Sequence, residues 1–100
     1  MKKKISITTP CYKSEETIGK LVAGITEEMH NHPDYDYEII LVCDGSPDNT
    51  FQVIAELARN DEHIKAYDLA KNFGESSALM AAYSKATGDY IVRMDDDGEH

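Results

Sequence analysis

The chain reads as an α/β domain, a mostly parallel sheet between two layers of helices in three-layer αβα order. Three observations predict this. Strand-like and helix-like segments alternate as β-α-β-α-β-α-β with no internal repeat and no low-complexity linker, the pattern that right-handed crossovers turn into a parallel sheet flanked by helices. The second strand-like segment, 37–43, is almost continuously apolar, as a strand covered on both faces is. With 100 residues, 41% apolar and 29% charged, the chain has the size and composition of one globular domain.

Residues 4–9 alternate apolar and polar side chains and are rich in β-branched residues, which predicts a first strand that Pro10 ends. From 15 to 30, Ile18, Leu21, Val22, Ile25 and Met29 fall on one face of an amphipathic helix, with Ser14 as its expected N-cap. Asn31-His32-Pro33-Asp34 breaks that helix. After the second strand, residues 44–49 are turn chemistry throughout. A helix over 50–60 follows, carrying Phe51, Ile54, Ala55 and Ala58 on one face. Residues 63–69 alternate again as a third, less buried strand. Gly74 opens a third helix whose stripe is Ala78, Leu79, Ala82, Tyr83 and Ala86, and Gly88 is expected to close it. Residues 90–94 make a fourth strand that runs into Asp95-Asp96-Asp97.

Charge narrows the partners. Ten Lys and Arg stand against 19 Asp and Glu, a formal net charge of −9, which repels phosphate backbones and anionic lipid and argues against a nucleic-acid partner. No apolar run approaches the roughly 20 residues that span a bilayer, and the basic start at Lys2-Lys3-Lys4 lacks the apolar segment of a secretory signal. Cys11 and Cys43 read as reduced thiols packed at strand ends, consistent with a cytoplasmic setting. Because the chain stops just after its most polar cluster, it is expected to be the amino-terminal part of a longer protein.

In an open parallel sheet, the loops that leave the carboxyl ends of the strands gather on one edge, and ligands bind there. That edge receives Pro10-Cys11-Tyr12, Asp44-Gly45-Ser46, Lys71-Asn72-Phe73-Gly74 and Asp95-Asp96-Asp97. The opposite edge receives 31–36, 60–62 and 88–89, which read as ordinary connectors. Three adjacent carboxylates repel one another, and a hard divalent cation, Mg²⁺ or Mn²⁺, relieves that repulsion. Asp95 and Asp97 can face one side of an extended chain while Asp96 faces the other; the competing reading is a solvated acidic loop. An EF-hand is excluded, since Gly98 follows Asp97 directly. Asp44 either accepts hydrogen bonds from a base or ribose, or starts an Asx-turn. Asp48 is read as the N-cap or first-turn acid of the second helix. Lys71, Asn72 and the helix start at Gly74 can meet a phosphate through charge and backbone N–H groups. His30 and His32 read as solvated surface residues, His63 has no evident partner, and His100, three residues past Asp97, is either a further contact to the metal or a frayed chain-end residue.

The residues from Ile5 to Tyr12, Glu38 to Thr50, Lys71 to Gly74 and Gly88 to Asp97 together resemble family 2 glycosyltransferases, inverting enzymes of the Rossmann-like GT-A fold. The resemblance spans essentially the whole chain. The Asn-Phe-Gly loop followed by Ser77, Ala78, Leu79, Met80 and Ala81 is most similar to the branch acting on polyprenyl-phosphate acceptors, that of dolichol-phosphate mannosyltransferase and its bacterial relatives. The resemblance implies a UDP- or GDP-sugar donor and a lipid-phosphate or glycan acceptor. Pro10 and Tyr12 would line the nucleotide, Asp44 would bind its base or ribose, and Lys71 would stand near its phosphates. Asp95 and Asp96 would contact the nucleotide sugar, with Asp95 and Asp97 as the outer, metal-binding positions of an Asp-x-Asp motif. Two positions depart from the pattern. Lys13 and Ser14 follow Tyr12 where many members read Asn-Glu, and Cys43 replaces the first of two Asp residues. The family's catalytic base and acceptor site come from a later part of the fold, so the chain alone is expected to bind donor weakly and not to turn over. The full-length protein is expected in the cytoplasm or at the cytoplasmic face of a membrane.

Three rival readings make different expectations. A receiver-like, Mg²⁺-binding phospho-acceptor module is also an acidic βα repeat, but its paired acids follow the first strand, which here ends in Thr-Thr-Pro. A dinucleotide-binding domain needs a Gly-x-Gly-x-x-Gly that follows no strand here. A structural piece would pair into a homodimer through apolar surface left open on the fourth strand.

Overall fold

The computed structural model describes residues 2–95. Its elements run β1 (Lys3–Cys11), α1 (Ile18–His30), β2 (Tyr35–Cys43), α2 (Thr50–Asn60), β3 (Ile64–Asp68), α3 (Glu75–Lys85) and β4 (Tyr90–Arg93). All strand pairs are parallel, in the order β3-β2-β1-β4. β1 therefore sits between β2 and β4, and the chain reverses its direction of travel across the sheet at the β1/β4 boundary. A receiver-like module has β1 between β2 and β3, so the strand order excludes that alternative. No described helix is long and apolar enough to cross a membrane.

Alternation along the strands divides two cores. On one face Ile7, Ile39, Leu41 and Cys43 meet Ile18, Val22, Ile25, Met29 and Ile54 of α1 and α2. On the other, Ile40 and Val42 meet Ala78 and Ala82 of α3, whose small side chains let the helix lie close to the sheet. Tyr83, expected in that stripe, is exposed instead. Between α1 and β4 runs an apolar groove lined by residues that include Ile7, Leu21, Ile25, Val92 and Met94.

Three local expectations are corrected. Pro10 does not end β1: it pairs in register with Val42. The Thr8 carbonyl accepts the Met94 N–H, so even-numbered residues of β1 turn their backbone groups toward β4. At Pro10 that pairing has already ended, and the missing N–H costs no ladder bond. Ser14 does not cap α1. Its carbonyl accepts the N–H groups of Thr17 and Ile18 at 3.1 and 2.9 Å, and its own N–H donates to Thr50 Oγ1. Gly88 is no helix cap, since α3 ends at Lys85 and Ala86 is extended. A Cβ at Gly88 would lie 2.6 Å from Ser6 Oγ and 2.8 Å from the Lys4 carbonyl oxygen, so glycine is there for close approach to β1.

The far edge of the sheet is also more than connectors. Glu38 is buried, and its Oε2 accepts the Ser6 hydroxyl at 2.6 Å, the Thr87 N–H at 2.7 Å and the Thr87 hydroxyl at 3.1 Å. Lys4 Nζ lies 3.6 Å from Oε1. Burial alone pushes this carboxyl up, but these hydrogen bonds and the Lys4 charge outweigh it and hold Glu38 below its ordinary value.

Candidate functional site

The loops at the carboxyl edge are built as one unit. The Asp44 N–H donates to the Cys11 carbonyl and the Leu69 N–H to the Cys43 carbonyl, so each loop starts tied to its neighbour strand. Lys13, at φ 52°, donates its N–H to Ser46 Oγ at 2.9 Å. Ser46 in turn donates to Asp48, and Asp48 Oδ1 accepts the Thr50 N–H and hydroxyl at 3.1 and 2.6 Å. Asp48 thus serves α2 from one residue before its N-cap, Asn49. Burial raises its carboxyl, yet the bonds from Ser46, Thr50 and the Glu15 backbone dominate and hold it below the ordinary aspartate value.

Asp44 ties the second loop to the third. The residue is 4% exposed, and its carboxylate accepts the Phe73 N–H at 2.8 Å and the Gly74 N–H at 3.1 Å. Those are the N–H groups that the sequence offered to a phosphate, and this carboxylate takes them instead. A carboxylate has about four lone-pair sites, so Asp44 retains acceptor capacity on the cleft side. Gly45 permits the close approach. It sits at φ +61°, and a Cβ there would lie 2.1 Å from the Lys71 carbonyl carbon.

The cleft itself holds about 230 Å³ and is lined by Pro10, Cys11, Tyr12, Asp44, Glu75, Arg93 and Asp95. These residues come from the ends of β1, β2 and β4 and the first turn of α3, at the β1/β4 switch point, where open α/β sheets bind ligands. Of the expected site residues, Pro10, Tyr12, Asp44 and Asp95 share this cleft. Lys71 does not line it: its Nζ lies over the Phe73 ring, 5.3 Å from the centroid. Asp96, Asp97 and His100 lie outside the described residues. Among the described residues, no three His, Cys, Asp or Glu side chains cluster to hold a metal ion.

Glu75 and Arg93 were not anticipated. Arg93 Nη2 pairs with Glu75 Oε1 and lies 3.3 Å from Asp95 Oδ1. The signal was present, because the alternation that puts residues 95 and 97 on one side puts residue 93 there too. His63 also finds partners, an Asp61 carboxylate at 2.9 Å and the Tyr37 ring stacked at 4.2 Å. Cys11 and Cys43 are buried thiols in register on adjacent strands, and burial pushes the Cys43 thiol up, aided by Asp68, Asp48 and Asp44.

A family model described as glycosyl transferase family 2 matches residues 6–100. The undecaprenyl-phosphate 4-deoxy-4-formamido-L-arabinose transferase of Proteus mirabilis (strain HI4320) is 37% identical over 95 residues, covering 94% of this chain and 29% of that protein. A mannosyltransferase of Pyrobaculum calidifontis, solved with GDP-Man and Mn²⁺, superposes with a TM-score of 0.83 at 21% identity, over 97% of this chain and 28% of that one. S. aureus TarS 1-349, solved with UDP-GlcNAc, superposes at 0.76 with 28% identity, over 94% of this chain and 26% of that one. The chain thus spans less than a third of the length of these relatives.

Proposed function

The chain belongs to glycosyl transferase family 2, and on that premise we propose that it forms the donor-binding part of an enzyme that moves a sugar from a UDP- or GDP-sugar to a polyprenyl phosphate or a glycan, with inversion. The observation that carries this reading is the placement of Pro10, Tyr12, Asp44 and Asp95 around one cleft at the switch point of the sheet. The P. mirabilis relative is named for a polyprenyl-phosphate acceptor, which supports the lipid-phosphate class over the glycan. A lipid acceptor assigns the reaction to a membrane surface, on the cytoplasmic side in this reading.

In the proposed site, Pro10 and Tyr12 pack against the nucleoside, and the free acceptor capacity of Asp44 takes a base N–H or a ribose hydroxyl. Asp95 and Asp96 contact the nucleotide sugar, and Lys71, which lies on the Phe73 ring outside the cleft lining, would have to swing off that ring to reach the phosphates. At about 230 Å³ the cleft is smaller than the roughly 300 Å³ at which small-molecule pockets begin, so it fits part of a nucleotide sugar. The donor set at its mouth is carboxylate oxygen, the type that Mg²⁺ and Mn²⁺ accept. Such an ion would be held by Asp95 and Asp97, and its chemistry would be to neutralise charge on the departing nucleoside diphosphate. The catalytic base is assigned to sequence beyond residue 100, so the chain alone binds donor without turnover. Self-association through the exposed Tyr90, Ile91 and Val92 of β4 belongs to the same proposal, and sedimentation of the chain checks it.

Calorimetric titration of UDP- and GDP-sugars, with and without Mn²⁺, tests the reading. Metal-dependent binding that Asp95→Asn and Asp97→Ala weaken is expected. Absence of metal-dependent binding to any nucleotide sugar overturns it.

A further inference from the structure

A diphosphate entering this cleft meets an unfavourable field. Three of its lining residues are carboxylates, Asp44, Glu75 and Asp95, and one is a cation, Arg93. Lys71, the cation suggested by the sequence, is turned onto the Phe73 ring and is not part of the lining. Arg93 is fixed from behind by its register with Thr8 and by the Met94 N–H on the Thr8 carbonyl. Its guanidinium already behaves as an anion ligand, since Nη2 serves both Glu75 and Asp95. A guanidinium has five N–H donors in a planar fork, which leaves Nε and Nη1 for a second anion.

We propose that Arg93 is the residue of this chain that engages the donor's diphosphate, and that Glu75 is the anion it gives up to do so. This rests on the nucleotide-sugar reading above. Planar guanidinium matches phosphate oxygens two at a time, which a lysine ammonium cannot do. The side chains of Arg93 and Glu75 are 41% and 62% exposed, and ion pairs in that setting contribute little. The exchange of Glu75 for a diphosphate is therefore cheap, whereas the same exchange at a fully buried pair would strand a carboxylate. The Glu75 carboxylate keeps the guanidinium inside the cleft while no donor is bound. Because Glu75 opens α3 and Arg93 closes β4, breaking the pair also releases the only ion pair among the described residues that joins these two elements.

The test measures binding of UDP and GDP at fixed Mg²⁺, beside uridine and guanosine, which lack phosphate. R93Q is expected to weaken diphosphate binding by about 10- to 100-fold and leave the nucleosides unchanged. R93K, which keeps the charge and loses the fork, is expected to recover part of the loss and guards against a folding defect. E75Q is expected to tighten diphosphate binding by about 2- to 5-fold, and the R93Q/E75Q double variant to match R93Q, because the gain acts through the freed guanidinium. If the wild-type chain binds UDP or GDP and R93Q binds it equally well, the Arg93 assignment is wrong while the nucleotide-sugar reading stands. If E75Q gives the same gain in the R93Q background, Glu75 acts as general charge and not as the partner of Arg93. If the wild-type chain binds no nucleoside diphosphate, the underlying reading itself fails.

Discussion

The carboxylate of Asp44 and the backbone N–H of Phe73, 29 residues apart, meet at 2.8 Å, and through that bond the loop after β2 holds the loop after β3. A residue whose type suggested ligand contact is thus also the post on which a neighbouring loop hangs. Catalytic and binding residues gain precision when their own rotamers are locked in this way.

Asp44→Ala is expected to destabilise the fold by about 1–3 kcal/mol, because it leaves the part-buried Phe73 N–H without its acceptor, while the Gly74 N–H keeps Asn72 Oδ1 at 2.9 Å. Asp44→Asn, with one carbonyl oxygen left, is expected to cost about half as much. Urea unfolding followed by circular dichroism measures both. Equal losses for the two variants would show that the bond to Phe73 is not the stabilising contact.

Gly45→Ala meets two penalties at once, a left-handed backbone at φ +61° and a Cβ 2.1 Å from the Lys71 carbonyl carbon. The expected cost is about 2–4 kcal/mol, summing conformational strain and overpacking. A change below about 0.5 kcal/mol in the same unfolding assay would mean that the two loops separate without penalty.

Much of this architecture was legible in the chain. Periodicity and short apolar runs located all seven of the described elements, because both are local properties of the chain. The gathering of the loops followed from parallel connectivity alone. What escaped was set by partners distant in sequence. Ser14 looked like an N-cap because its type suits one, but Thr50, 36 residues on, claims its N–H. Gly88 looked like a helix stop, yet its constraint comes from Ser6 and Lys4. Glu38 sat unnoticed in an apolar run because its bonding groups, Ser6 and Thr87, lie 32 and 49 residues away. Arg93 shares strand parity with Asp95, but the carboxylate that holds it in the cleft, Glu75, lies 18 residues away.

Acid should loosen the fold in a defined direction. The Glu38 carboxyl titrates below its ordinary value of 4.5 in the folded chain, so between the two values the unfolded state binds more protons. Its contribution is complete above the unfolded value and is lost as pH falls through the folded one. Asp48 and Asp61 are lowered as well and act with the same sign. Melting temperature followed from pH 6 to pH 3 is expected to fall, with a shallower slope in Glu38→Gln at a lower starting stability. An unchanged slope in that variant would remove Glu38 from the acid limb.

Thr9 is fully buried, and its hydroxyl has no hydrogen-bond partner among the described residues. Thr9→Val replaces that hydroxyl by a methyl of similar size and is expected to stabilise the protein by about 1 kcal/mol. A loss of stability in thermal or urea unfolding would show that the hydroxyl is satisfied.

The strand order has a consequence for synthesis. β1 lies between β2 and β4, yet it leaves the ribosome before either neighbour, and the strand that covers its second side, Tyr90–Arg93, is the last of the described strands to be made. At translation rates of about 5–20 residues per second, one flank of that nascent strand stays open for several seconds, with its carbonyl and amide groups bare to water or to a chaperone. Ser6 and Thr8, beside Glu38 and Ile40 in the register with β2, put hydroxyls on the face that α3 later covers, and these groups stay hydrated until it does.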